Sequence, residues 1–184
     1  MIILEQKKQT NIAEYVILMY QIEDMVRAYK FDISLIEKQI IAPQAPSQSI
    51  HNEMKNWYLG LIKEMKSRGL ENKGHAYELN EVMAELVYLH MTLHDAVKDI
   101  KYTTLFNSAK EHIEAFRKKS DLGEIHPVEV CFQALYMKLL MKLQKKEISA
   151  ATEEAFDAMR ILVAYIGKAY HQMKSGDMSM FESK

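Results

Sequence analysis

The chain has 184 residues, of which 48% are apolar and 27% are charged, and its formal net charge is −1. This length and composition are typical of one folded domain and exclude a disordered chain. Lysines and arginines are spread along the sequence rather than clustered. Because binding to a phosphate backbone depends on clustered positive charge, we expect no nucleic-acid partner.

Three further features bear on the compartment. Residues 1–8 lack the basic start and apolar run of a signal peptide. Glu23 and Asp24 interrupt the longest apolar stretch, so no segment predicts a membrane span. Cys131 is the single cysteine, which excludes an internal disulfide framework. Together these features predict a cytoplasmic protein that does not associate with a membrane.

Helical periodicity runs through most of the chain, and few runs alternate between apolar and polar residues as a strand would. The sequence therefore predicts an all-α fold, a single-domain helical bundle of about six to seven helices. We expect residues 1–176 to form this bundle domain and residues 177–184 to form a flexible C-terminal tail. The expected helices cover approximately residues 11–28, 33–41, 50–68, 79–100, 105–116, 127–146 and 150–175.

Caps and helix breakers set the expected ends of these helices. Either Thr10 or Asn11 suits the N-cap of the first helix, Asp32 suits that of the second, and Ser49 is expected to cap the third. Residues 43–47 predict an extended connector, because proline disfavours helix both at its own position and at the preceding residue. The fourth helix is expected to break near residues 101–104.

The sixth expected helix, residues 127–146, is apolar around most of its circumference. A single narrow polar stripe contains Lys138 and Lys142. A helix of this kind is surrounded by protein, so we expect it at the centre of the bundle or against a second subunit. Cys131 lies beside the stripe, where nearby lysines would lower the thiol pKa. Ordinary packing at the edge of the core is the simpler interpretation of this cysteine.

Two charged residues fall within or beside the arc of the first expected helix that should face the core. Glu23 lies between Ile12 and Val16 on this arc, and Arg27 lies at its edge, one turn from Glu23. Conflicts of this kind often mark functional sites. One interpretation is a structural ion pair. The other is a pocket in which Arg27 binds an anionic ligand or Glu23 acts as an acid or base. Asp24 is expected on the opposite, solvated side.

A second conflict involves His90 and His94, which share one face of the fourth expected helix. An H-x-x-x-H pair can present two imidazoles to a metal ion, but a zinc site needs a third ligand. Asp95 projects away from His94, and Glu23 would complete a site only if the two helices pack side by side. We expect His90 to be a core histidine, with no metal and no cofactor bound.

Two segments carry a resemblance to a known family. The first comprises Thr10–Tyr15, Gln21–Asp24 and Arg27–Ala28, and the second comprises Cys131–Tyr136 and Leu143–Ser149. They resemble an uncharacterised all-helical family of about this length from Bacteroidetes, a domain-of-unknown-function family. The resemblance implies an all-helical, bacterial and cytoplasmic protein, and it implies no catalytic residues.

A second resemblance is to the four-helix metal-dependent hydrolase-like bundles that use three histidines on separate helices. His51, His90 and His94 match that set by their order in the chain alone. The residues around them depart from the pattern of those bundles.

Two functional hypotheses follow. The first is a non-enzymatic module that acts through interaction with a protein partner or through self-association as a homo-oligomer, which the apolar sixth helix favours. The alternative is a bundle that binds a small ligand or a divalent metal and acts as a metal-dependent hydrolase-like enzyme. In that case Glu23, Arg27, His90 and His94 would line one shared internal site.

Overall fold

The computed structural model describes residues 2–177, and over these residues it contains helices and connecting turns but no strand. The predicted all-α class is confirmed, with eight helical segments in the described part of the chain, slightly more than expected. The additional helix is the first one, which sequence analysis did not assign. The helices are α1 (Ile2–Thr10), α2 (Ile12–Ala28), α3 (Ile33–Gln44), α4 (Gln48–Ser67), α5 (Tyr77–Ala96), α6 (Ile100–Lys119), α7 (Pro127–Leu143) and α8 (Ala150–Ser175).

One hydrophobic core joins these helices, with α8 packed against α5, α6 and α7 and with α2 lying across α7 and α8. Helix α4 packs on α3 at one side of this arrangement. The tail predicted for residues 177–184 lies, from residue 178 onward, outside the described residues. None of the helices described is long and apolar enough to cross a membrane.

Polar side chains cap most helices where the sequence predicts a cap. The Asn11 side chain accepts a hydrogen bond from the Glu14 N–H at the start of α2, and Asp32 does the same for Ser34 at the start of α3. The prediction for α4 is wrong by two residues. Ser47 rather than Ser49 is its N-cap and accepts from the Ile50 N–H.

The extended connector predicted for residues 43–47 is shorter than expected. Helix α3 contains a π-helical turn at Glu37–Ile41 and continues through Pro43 to Gln44. At this turn the Ala42 N–H bonds to the Glu37 carbonyl, a wider spacing than in an α-helix. The spacing of the backbone hydrogen bonds widens just before Pro43, which has no N–H to donate. The chain leaves the helix at Ala45, the residue before the next proline.

The break between α5 and α6 comes earlier than predicted. Helix α5 ends in a second π-helical turn, Thr92–Ala96, and Lys98 then adopts a positive φ of 55°. Asp99 caps α6 by accepting a hydrogen bond from the Tyr102 N–H at 2.6 Å. The cap fixes the start of α6 at Ile100, which is 85% exposed.

Helix α7 is central only along its first half. Its fully or nearly fully buried side chains all lie between residues 128 and 136. Beyond them the helix reaches the surface, where Met137 is 43% exposed and Leu143 is 63% exposed. The prediction of a fully enclosed helix therefore holds for the N-terminal half of α7 in the monomer, and not for its C-terminal half.

Candidate functional site

Glu23 is completely buried on α2 and is bonded to the connection between α4 and α5. Its carboxylate lies 2.6 Å from Nδ1 of His75 and accepts a hydrogen bond from the Ala76 N–H at 2.8 Å. A buried carboxylate is costly without such partners. The connection from Arg68 to Ala76 has no helical periodicity, so sequence analysis had no signal for His75.

Arg27 braces the same connection. Its guanidinium lies 4.0 Å from the Glu23 carboxylate, and it is closer to Asp24, at 2.9 Å. It also donates to the Leu70 carbonyl at 3.0 Å and to the Gly74 carbonyl. Asp24 is exposed, as expected, with 52% of its side chain accessible to solvent. It also binds Arg27 and accepts a hydrogen bond from a tyrosine of α7, which packs against this side of α2.

That tyrosine belongs to an aromatic group beside Glu23. Tyr136 donates to Asp24 at 2.8 Å, and its ring contacts the edge of Tyr20 at 5.6 Å between centroids. Tyr20 in turn stacks on His75 at 4.4 Å. Burial is the main cause that raises the pKa of the Tyr20 hydroxyl, so this group stays protonated. The contacts named here hold the connection between α4 and α5 in place against α2.

His90 and His94 belong to a separate cluster at the other end of α5. His90 is 6% exposed, and its Nδ1 lies 2.6 Å from the Tyr102 hydroxyl. Its ring stacks parallel to His94, with 5.5 Å between centroids, and meets Phe106 edge-on at 4.8 Å. The structure adds a third imidazole, because His126 lies 4.9 Å from His90.

The sequence did not place His126 beside His90 and His94, although His126 directly precedes a proline at the start of a helix. Its side chain is the N-cap of α7 and accepts from the Val128 N–H at 3.2 Å. The pKa of His90 is lowered to about 4, first by burial and then by the neighbouring His126 and His94. Burial also lowers the pKa of His126, with a further contribution from Arg117. His90 is therefore neutral at neutral pH.

The histidine cluster does not form a recognisable metal site. Within residues 2–177, no group of three or more His, Cys, Asp or Glu side chains is arranged to hold a metal ion. Asp95, expected to project away from His94, lies 2.6 Å from its Nδ1.

The set of three histidines suggested by chain order is not assembled. His51 lies on α4 and contacts Glu37 of α3 at 3.4 Å. The third imidazole beside His90 and His94 is instead His126, because the start of α7 packs against α5 and α6 at this point.

The two clusters also do not share one site. Glu23 bonds to Ala76 at the start of α5, and His90 lies fourteen residues further along that helix. At the rise of an α-helix this separation is about 21 Å. Glu23 and Arg27 therefore form one candidate site, and His90 and His94 form another. A functional role for either pair stays a prediction.

Cys131 differs from the expectation for a thiol beside lysines. It is fully buried in α7, and burial raises the pKa of its thiol to about 12. Lys138 of the polar stripe pairs instead with Glu153 and Asp157 of α8, at 2.5 and 3.4 Å. The cysteine is thus a core residue and a poor nucleophile at neutral pH.

Comparison with known proteins gives one match. Residues 1–177 match the model of a family described as Domain of unknown function (DUF4924). No curated protein and no solved structure matches the chain.

Proposed function

We propose that this protein is a non-enzymatic module that associates with a second copy of itself. The chain belongs to the DUF4924 family, a domain of unknown function, so membership of the family assigns it no activity. The contact surface is the C-terminal half of α7 together with the start of α8. A cytoplasmic location, expected from the sequence, and a bacterial source, implied by the family resemblance, stay predictions.

The apolar surface of this half of α7 carries the proposal. Met137 and Leu143 are 43% and 63% exposed, and Leu139, Leu140 and Met141 between them are only partly buried against the core. Interfaces between obligate partners resemble a protein core cut in half. A second copy packed here would remove this surface from water.

Charges beside the apolar surface favour a copy of the same chain as the partner. Lys142 is exposed at the end of α7 and Lys145 in the turn after it. Glu147 of the same turn and Glu154 of α8 are also exposed. In a two-fold symmetric interface each residue meets its counterparts on the other subunit. Lysines of one copy can then lie against glutamates of the other, so that the rim is electrostatically complementary.

Analytical ultracentrifugation at micromolar concentrations tests this proposal. We expect the wild-type chain to sediment as a dimer. Leu143→Glu places a charge in the contact and should weaken dimerisation by at least about tenfold. The control Met91→Glu changes a side chain that is 52% exposed on α5, away from this surface. It should leave the dimer intact, and circular dichroism verifies that both variants are folded.

A strictly monomeric wild-type protein would contradict the proposal. Equal weakening by Leu143→Glu and Met91→Glu would also contradict it, because the contact would then not lie on α7.

A further inference from the structure

A cavity of about 680 Å³ lies between α1 and α2 on one side and α3 and α4 on the other. It is separate from the surface of α7 and from the clusters around Glu23 and His90. Gln44, Pro46 and Glu53 at its rim are exposed, so the cavity is open to solvent on this side. Pockets of roughly 300–1,000 Å³ are the size that holds small organic ligands.

The walls of the cavity are mostly aliphatic. Helix α2 contributes Leu18 and Ile22, and α4 contributes Ile50 and Met54. Leu4 of α1, which is 5% exposed, closes one side. These walls offer no polar partner to a buried charged group. The part of a bound molecule that lies against them must therefore be apolar.

The polar groups of the cavity determine what the other end of a ligand can be. The lining residues with polar side-chain atoms are Gln21, Gln44, Glu53 and Tyr58, and none of the described lining residues is a lysine, arginine or histidine. The Ser49 hydroxyl donates to Glu53 at 3.3 Å. An anionic ligand would be repelled by the Glu53 carboxylate and would have no positively charged partner. A protonated amine would instead form an ion pair with Glu53.

A second observation points to the same place. Ile40, another lining residue, belongs to the π-helical turn Glu37–Ile41 of α3. Such turns inside helices occur frequently at functional sites. Here the turn forms part of the cavity wall opposite α2.

We propose that this cavity binds an elongated apolar molecule that ends in a primary amine. The aliphatic chain lies between α2 and α4, and the protonated amine pairs with the Glu53 carboxylate at the rim. Burial of the chain supplies most of the affinity. The exposed Glu53 mainly provides selection between head groups, because an ion pair in contact with water contributes little.

Calorimetric titration with three probes of equal chain length tests this assignment. Decylamine, decanol and decanoate are each added below the concentration at which they form micelles. We expect one decylamine to bind per chain and to raise the melting temperature, and we expect decanoate to bind at least about tenfold more weakly. Absence of decylamine binding would overturn the site. Equal binding of all three probes would overturn the assigned head group.

Two variants locate the bound molecule. Met54→Trp fills the cavity and should weaken decylamine binding by at least about tenfold, while Met91→Trp makes the same change at an exposed position of α5 and should not. Glu53→Gln should reduce the preference for decylamine over decanol to less than about twofold. Binding that is unaffected by Met54→Trp would place the ligand elsewhere, and an unchanged preference in Glu53→Gln would remove the role of that carboxylate.

Discussion

Glu23 is buried but has hydrogen-bond partners, and its closest partners are His75 and Ala76 rather than Arg27. The carboxylate is bonded to His75 and to the Ala76 N–H, while the guanidinium of Arg27 is 4.0 Å away. The stabilising contacts of Arg27 are mainly to Asp24 and to backbone carbonyls of the connection between α4 and α5. Removal of Arg27 therefore leaves the buried carboxylate bonded, whereas removal of Glu23 releases the start of α5.

This difference gives an ordered pair of mutational effects. Glu23→Ala removes the acceptor for His75 and for a buried N–H and leaves a cavity, so we expect a loss of about 3 kcal/mol in the free energy of unfolding. Arg27→Ala removes a brace and leaves carbonyls that water can reach, so we expect a loss of about 1 kcal/mol. Urea denaturation measures both values. A larger loss for Arg27→Ala would mean that the guanidinium is the essential partner of Glu23.

At the scale of the helices, the sequence predicted where helices begin better than where they are interrupted by π-helical turns. Asn11 and Asp32 cap α2 and α3 as expected, because an N-cap depends on a side chain and the N–H groups two or three residues later. The π-helical turns in α3 and α5 were not predicted. Each shifts only a few hydrogen bonds, which leaves no periodic signal in the sequence. Because α5 ends in the second of these turns, the break between α5 and α6 lies before the predicted residues 101–104.

Asp99 sets that break and also ties α6 to α8. It caps α6 through the Tyr102 N–H and accepts from the Tyr165 hydroxyl of α8 at 3.1 Å. We expect Asp99→Ala to lower the free energy of unfolding by about 2 kcal/mol, since both contacts are lost. Asp99→Asn keeps an acceptor oxygen for the cap and should cost less than half as much. Urea denaturation compares the two variants, and equal losses would show that the cap contributes little.

For the whole molecule, the sequence predicted the class of fold and the existence of charged groups in the core, but not which groups meet. Glu23 and His90 were both recognised from their positions among apolar residues. Glu23 of α2 contacts the start of α5, whereas His90 lies towards the other end of α5. This arrangement depends on how the helices cross, which no single helix encodes. His75 and His126 belong to connections between helices, so their contacts with Glu23 and His90 followed only from the assembled bundle.

We expect the histidine cluster to make the stability of the molecule sensitive to acid. Folding lowers the pKa of His90 from 6.5 to about 4. As the pH falls below 6.5, the unfolded chain therefore takes up a proton at this residue before the folded chain does. The favourable contribution of neutral His90 is present above pH 6.5, is lost progressively between about pH 6.5 and 4, and is absent below that range. The full change is about 3 kcal/mol.

Carboxylates and other histidines also take up protons at low pH. The measurement therefore compares the free energy of unfolding of the wild-type chain with that of variants. Urea denaturation of the wild-type chain and of His90→Gln across this pH range should show a steeper loss for the wild type. His112→Gln, the same substitution at a partly exposed histidine of α6, should follow the wild-type curve. Parallel curves for the wild type and His90→Gln would mean that His90 takes up its proton equally well in the folded bundle, and that the cluster opens to water without unfolding.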